Sequence, residues 1–321
     1  MPKFIIVTPG YVGNSFGIKT LHHLAHTLNE EGFTARLMFM TDDGRGKQRF
    51  GYAGREATNP AFNTPPMTAA DGVGEEADIV VYPEIVSNNP LNARNVVRYF
   101  LNSDGKITGR KIALGPRDFR LAFHRMFRAD AHFVLGNAQF NPAFQMGNAR
   151  PIAERTLDLT YIGKGDMYGN AAVIKNSVLI TRVWPPDQNQ LAQLLRHTRF
   201  FYTWDSVTSL NVEAILCGAM PVFLRYDPIR REDVDATELG PLPHLDMGVA
   251  NFKFDHQEFS RDREALAGRI AAIQASWNER VRAFATAAVA HFASEPRLAA
   301  PEPPLFIATP STTPSPIPKC A

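Results

Sequence analysis

Short apolar runs alternate with segments whose apolar residues recur every three or four positions, and this alternation predicts an α/β protein. Lys3 to Thr8 reads as a buried strand, Pro9 to Gly17 as a glycine-containing turn, and Ile18, Leu21, Leu24, Ala25 and Leu28 as one face of a helix that ends at Gly32. Ala35 to Met40 gives a second strand and Ala77 to Val86 a third. Ala93, Val96, Val97, Phe100 and Leu101 then predict a helix, and Lys111 to Leu114 and Ala131 to Leu135 further strands. Between those strands, Arg117, Arg120, Arg125 and Arg128 interleave with Phe119, Leu121, Phe123, Met126 and Phe127, either a helix with a buried aromatic face and a solvated basic one or a basic surface for an anionic acceptor or lipid headgroups.

The series restarts after a linker near Gln145 to Arg155. Strands are expected at Leu157 to Ile162 and Ser177 to Thr181, and Asp187 with Gln190 imitates a capping box for the helix carrying Leu191, Leu194 and Leu195. Arg199 to Thr203 is the next strand, Gly218 stops a short helix, and Met220 to Leu224 is a buried strand. Ala250 to Phe254 is expected as a last strand and Arg261 to Ala293 as a helix, its apolar face made by Leu266, Ile270, Ile273, Trp277, Val281, Phe284 and Val289. The resulting layout is an α/β chain of two Rossmann-like domains, residues 1–150 and 151–275, with a C-terminal helix at 276–293 and a disordered Pro-rich tail at 294–321.

The chain has 321 residues, enough for two cores, and its net charge of +2 gives no whole-chain footprint for nucleic acid, so none is expected as a partner. Two cysteines, Cys217 and Cys320, offer neither a disulfide framework nor a metal cluster, and Cys217 reads as a small core residue. No run reaches the roughly 18 apolar residues of a membrane span. A cytoplasmic protein is expected, with peripheral contact at the inner membrane left open and the oligomeric state unread. The polar segment Asp42 to Gly74 is either a lid or acceptor loop or simply disordered. His22, His23 and His26 lie on the first helix and read as a solvated face, because a zinc-protease site would need Glu where His23 stands.

Chemistry concentrates where the strands of the second series end. Their carboxyl ends deliver Lys164 with Gly165, then Arg182, then Asp205, to one edge of the expected sheet, a location that Glu213 is expected to share. Thr208 or Ser209 caps the helix that follows Asp205, and the N–H groups of Val207, Thr208 and Ser209 at its start favour a phosphate. In the first series the loop with Gly13, Asn14 and Ser15 follows a strand in the same way, though Gly10, Gly13 and Gly17 do not match the dinucleotide fingerprint. Glu84 falls at another strand end, as an acceptor-side base, a hydrogen-bond acceptor or only a helix-cap partner. A plain alternative exists for each: surface charges at loops and an ordinary strand-helix-strand unit.

Asp205, followed eight positions on by Glu213-Ala214 and then by Gly218 and Pro221-Val222, resembles the second-domain signature of retaining glycosyltransferases of the GT-B type, family 4-like and of the bacterial polysaccharide kind. The stretch from Tyr82-Pro83-Glu84 through Asn89-Pro90-Leu91 to Arg98-Tyr99 looks like a recurring segment of a bacterial group of these enzymes. The sequence departs from the pattern in having Asp rather than Glu at the first acidic position, and Val207-Thr208-Ser209 in place of Gly-Phe-Gly. The resemblance implies two domains facing across a cleft, with the acceptor in the first and a nucleotide-sugar donor in the second. It implies that Asp205 contacts the donor sugar, Glu213 the ribose hydroxyls, Lys164 the pyrophosphate and Arg182 the nucleotide. Hexosyl transfer to a glycan or lipid-linked acceptor, with retention and without a metal or other cofactor, follows from the same resemblance. A nucleotide-sugar epimerase of this architecture is the alternative among enzymes, and a noncatalytic sugar- or partner-binding protein the alternative outside them.

Overall fold

The computed structural model describes residues 2–42, 48–72, 78–144, 151–226, 229–247 and 255–294. Packing divides it into two units: one takes the chain up to Leu135 and again from Asn278, the other is Gly136–Trp277. Both are Rossmann-like α/β units.

The first unit opens with β1 (Lys3–Thr8), α1 (Phe16–Glu30) and β2 (Thr34–Asp42), followed by β3 (Gln48–Gly51), β4 (Ile79–Pro83), β5 (Asn95–Phe100), β6 (Phe119–Ala122) and β7 (Phe133–Val134). Its sheet has the order β3-β2-β1-β4-β5-β6-β7, parallel throughout except for the antiparallel edge strand β3. The order reverses between β1 and β4, so the loops after those two strands flank the unit's switch point.

Several elements differ from the pattern's prediction. The helix expected around Ala93 to Leu101 is strand β5, all six residues of which are buried. A strand covered on both faces is apolar on both, so its spacing mimics a helix. The basic, aromatic segment after Arg117 is likewise not a helix: Phe119–Ala122 is strand β6, and the strand expected at Lys111 to Leu114 does not form. Nor is the polar stretch after Asp42 a free lid where it is described. Its β3 pairs with β2, Met67 donates to the Leu37 carbonyl at 2.8 Å, and Met67, Phe50 and Tyr52 pack with Ile5, Val7, Met38 and Val80. The histidines of α1 are not a solvated face: His22 is 0% and His23 5% exposed, with Tyr11 against His22 and Phe62 against His23 and stacked on His26.

The second unit runs β8 (Leu157–Tyr161), β9 (Val178–Ile180), α2 (Gln188–His197), β10 (Thr198–Thr203), α3 (Ser209–Leu216), β11 (Met220–Phe223), α4 (Arg231–Asp235) and β12 (Leu245–Asp246). Its strands are all parallel, in the order β12-β11-β10-β8-β9. Here the switch point falls between β8 and β10. Asp187 does cap α2, accepting from the Asn189 N–H. The last strand described is β12; the strand expected at Ala250 to Phe254, the tail from residue 295 and most of the expected linker lie outside the described residues.

The chain ends its described course in α5 (His256–Ala293), whose residues from Asn278 on belong to the first unit. There Phe284 is fully buried and meets Phe4, Phe119 and Phe133, one ring from each of β1, β6 and β7. No described helix is long and apolar enough to cross a membrane.

Candidate donor site

Of the residues expected to share an edge in the second unit, Lys164 and Asp205 meet at its switch point. Lys164 follows β8 and Asp205 follows β10, the two strands between which the order reverses, and their side chains form an ion pair of 2.9 Å. The Lys164 backbone N–H also donates to the same carboxylate oxygen, Oδ2, at 3.3 Å. Asp205 is 4% and Lys164 16% exposed at the side chain, so each charge depends on the other. Removing one partner of such a pair costs about 3–5 kcal/mol, because the other is left buried and uncompensated.

The turn from Asp205 into α3 is held from within. The Thr203 hydroxyl donates to the Asp205 carbonyl and accepts from the Asp205 N–H, both at 3.1 Å. Asn211, fully buried, donates from its amide to the carbonyls of Asp205 and Ser206 at 3.0 Å each. Thr208 is the N-cap of α3, its hydroxyl accepting from Leu210 N–H at 3.4 Å. Val207, Thr208 and Ser209 thus stand at the helix start beside Asp205, where the first N–H groups have no partner within the helix. Gly218, with φ of 82°, ends α3 in the left-handed conformation expected of it.

Glycines set the distances between these loops. A Cβ on Gly165 would lie 2.3 Å from the Trp204 Cβ, so its bareness serves the approach of the β8 loop to the β10 loop. Gly163 has φ of 55°, and a Cβ there would come within 2.5 Å of the Tyr161 ring and 3.0 Å of the Asp205 carboxylate. Tyr161 itself was not singled out by the sequence. The last residue of β8, it is 7% exposed, with Asp205, Arg182 and Thr208 near its hydroxyl. Burial first, then the charge of Asp205, pushes its phenol above the usual range, and it stays neutral at any physiological pH. The signal in the sequence was an aromatic strand end followed two residues later by a glycine.

Glu213 lies further along α3, 5% exposed and four residues before Cys217 on the same helical face. Cys217 is the core residue expected, 1% exposed, its thiol pushed up to about 12 by burial. Arg155, Arg196 and Arg263 lie near enough to lower that thiol's pKa, while Glu213 raises it, which puts Glu213 in a strongly cationic part of the unit.

The remaining expected residues belong to the first unit. Gly13 and Asn14 form the exposed turn after β1, and Ser15 occupies the N-cap of α1 without a capping hydrogen bond from its side chain. Glu84, just after β4, is 4% exposed and its Oε2 accepts from Leu101 N–H at 3.1 Å, tying the ends of β4 and β5 together. Beside it the loop is braced by Arg98, 2% exposed, which pairs with Asp118 at 2.8 Å and donates to the Asn88 carbonyl at 2.6 Å.

No family model matches the chain, and no curated protein matches it in sequence. Among solved structures it is similar to an α-glucosyltransferase in complex with UDP and a 13-mer DNA containing an HMU base, at 10% identity over 88% of this chain and 94% of that one, with a TM-score of 0.38. It is also similar to T4 phage β-glucosyltransferase, at 10% identity, 89% and 99% coverage and a TM-score of 0.47. A third likeness is to the spinosyn rhamnosyltransferase SpnG complexed with thymidine diphosphate, at 10% identity, 88% and 96% coverage and a TM-score of 0.33. At such scores the architecture rests on the strand orders themselves: two parallel sheets, each with one switch point, the second carrying the paired charges of Lys164 and Asp205 across it.

Proposed function

We propose that the protein is a glycosyltransferase of the GT-B type that takes a sugar from a nucleotide-sugar donor bound at the β8/β10 switch point. The observation that carries this reading is the convergence there of Lys164, Asp205, the start of α3 and, through Tyr161, Arg182. Open α/β sheets bind ligands outside the carboxyl ends of their strands at this position, and the groups gathered there are those a diphosphate and a sugar need.

In the reaction, the bond from the anomeric carbon to the diphosphate oxygen breaks and a bond from the acceptor hydroxyl oxygen to that carbon forms. The acceptor proton passes to the departing phosphate. The leaving group gains charge as it departs, so Lys164, Arg182 and the N–H groups near Val207, Thr208 and Ser209 stabilise the transition state more than the ground state. With cationic side chains in that role, no metal is required. Asp205 accepts from a hydroxyl of the donor sugar and Glu213 from the ribose. Retention of configuration and a glycan or lipid-linked acceptor, recognised by the first unit's loops after β1 and β4, complete the reading. Glu84 orders the acceptor loop, its carboxylate being engaged by Leu101.

Calorimetry with UDP, dTDP, GDP, ADP and their sugar conjugates tests the assignment, with Arg182→Ala and Glu213→Gln beside the parent. One nucleotide class binding the parent, and both variants binding it at least tenfold more weakly while folded, is the expected result. Absence of binding to every member of the panel overturns the donor site. Binding with neither hydrolysis nor transfer across a broad acceptor set identifies a noncatalytic binding protein instead.

A further inference from the structure

We infer that Trp184 is the platform on which the base of the donor nucleotide stacks. The inference rests on the donor-site reading above and supplies the contact for the one part of the nucleotide to which that reading gives none.

Thr203, Tyr161 and Ile180 lie side by side in register, so β10, β8 and β9 end level with one another. Asp205 comes two residues after the first of these ends, Lys164 three after the second and Trp184 four after the third. All three therefore belong to the carboxyl edge of the sheet, where open α/β sheets bind their ligands. With the diphosphate at the β8/β10 switch point, the base lies beyond the ribose, over a loop further along that edge. Two loops stand equally near, those after β9 and β11, each centred about 7 Å from the switch point at the usual strand spacing.

The aromatic residue after β11 is Tyr226, and it is already committed. Its hydroxyl donates to Asp246 Oδ1 at 2.6 Å and lies 2.6 Å from His244 Nε2, and its ring stands edge-on to Phe223. After β9 it is Trp184, 44% exposed, whose indole has no ring, cation or hydrogen-bond partner among the described residues. The other two tryptophans are engaged: Trp204 donates from Nε1 to the Ala172 carbonyl at 2.9 Å, and Trp277 is buried. That is the usual state of so large a ring, whose N–H seeks an acceptor when covered. Trp184 is held bare by its own turn. The Thr181 N–H donates to the Trp184 carbonyl at 2.8 Å, and the Thr181 hydroxyl accepts from the N–H groups of Val183 and Trp184 at 3.3 and 3.0 Å. One threonine thus closes the turn on itself and leaves the backbone under the indole little freedom to lose on binding. The ring face carries no directing polar group, so it registers that a ligand has a base and not which base it has.

Tryptophan fluorescence and calorimetry test this in the parent, Trp184→Phe and Trp184→Leu, with the tightest-binding member of the set UDP, dTDP, GDP and ADP. In the parent the diphosphate is expected to quench the emission. In Trp184→Phe the quenching falls away while affinity stays within about threefold, because a phenyl ring still stacks. Trp184→Leu keeps an apolar side chain without a π face, and is expected to bind about fivefold or more weakly. A merely structural role would not separate the two variants, and an equal loss in both overturns the inference. Parent-like affinity in Trp184→Leu, or quenching undiminished in Trp184→Phe, overturns it as well. In each of these cases binding by the parent leaves the donor site standing. A parent protein that binds none of the four diphosphates overturns both.

Discussion

At the scale of single residues, the informative feature is that Lys164 and Asp205 neutralise one another at 2.9 Å. A diphosphate arriving at the site competes with Asp205 for Lys164, and it also meets the carboxylate's negative charge. Asp205→Asn removes both obstacles while preserving shape. Affinity for the free nucleoside diphosphate is therefore expected to rise, by roughly three- to tenfold, even as transfer falls by about a hundredfold or more because the sugar loses its acceptor group. Calorimetry and initial rates on the same preparation check the two halves. A weaker diphosphate complex in Asp205→Asn would mean that the carboxylate contacts the nucleotide directly rather than competing for the lysine.

At the scale of elements, the pairing of α1 with the segment that follows β3 makes a titration prediction. His23 is held down to about 3, by burial first and by the charge of His26 second, against an ordinary value of 6.5. The folded state thus keeps His23 neutral where the unfolded chain protonates it, so its effect on stability is absent above about pH 6.5 and grows as pH falls toward 3. Stability rises with pH through that window. His22, lowered by burial in the same helix, acts in the same direction. Urea melts of the parent and His23→Gln between pH 7 and pH 4 are expected to converge toward low pH, the variant losing less stability per pH unit. Parallel curves would show that His23 does not titrate with folding.

The elements also show which parts of the fold were legible in the sequence. Strand β10, the cap at Thr208, helix α3 and its stop at Gly218 were readable because each depends on neighbours within a few positions. Strands β5 and β6 were not, because what makes them strands is burial between layers supplied from distant parts of the chain. The same division holds in the site. The meeting of Lys164 with Asp205 followed from strand ends sharing an edge, whereas Tyr161 came to light only through its burial beside Asp205, Arg182 and Thr208. The burial of His22 and His23 was hidden for a similar reason, since Phe62 comes from a segment whose composition reads as polar loop.

At the scale of the whole molecule, the first unit is built from both ends of the chain. From Asn278 on, α5 belongs to it: Arg282 pairs with Glu31 at 2.8 Å through Nε, His291 Nε2 lies 3.1 Å from the Arg117 carbonyl, and Phe284 closes the core over β1, β6 and β7. Phe284→Ala is expected to destabilise the first unit by about 3–5 kcal/mol, the range for a large buried ring whose site cannot collapse. Hydrogen exchange resolved by peptide distinguishes the units: β1, β5 and β6 should lose protection while β8 and β10 keep theirs. Equal loss in both would mean that the two unfold as one.

That discontinuity sets an order of events at the ribosome. The second unit is continuous in sequence and has all its strands translated before the half of α5 that completes the first is made. The sheet translated before it must wait, with the faces of Phe4, Phe119 and Phe133 uncovered, until Phe284 follows. The nascent chain is thus exposed to chaperones and to aggregation through that sheet, and released chains ending at Trp277 should carry a protease-resistant second unit behind a protease-sensitive first.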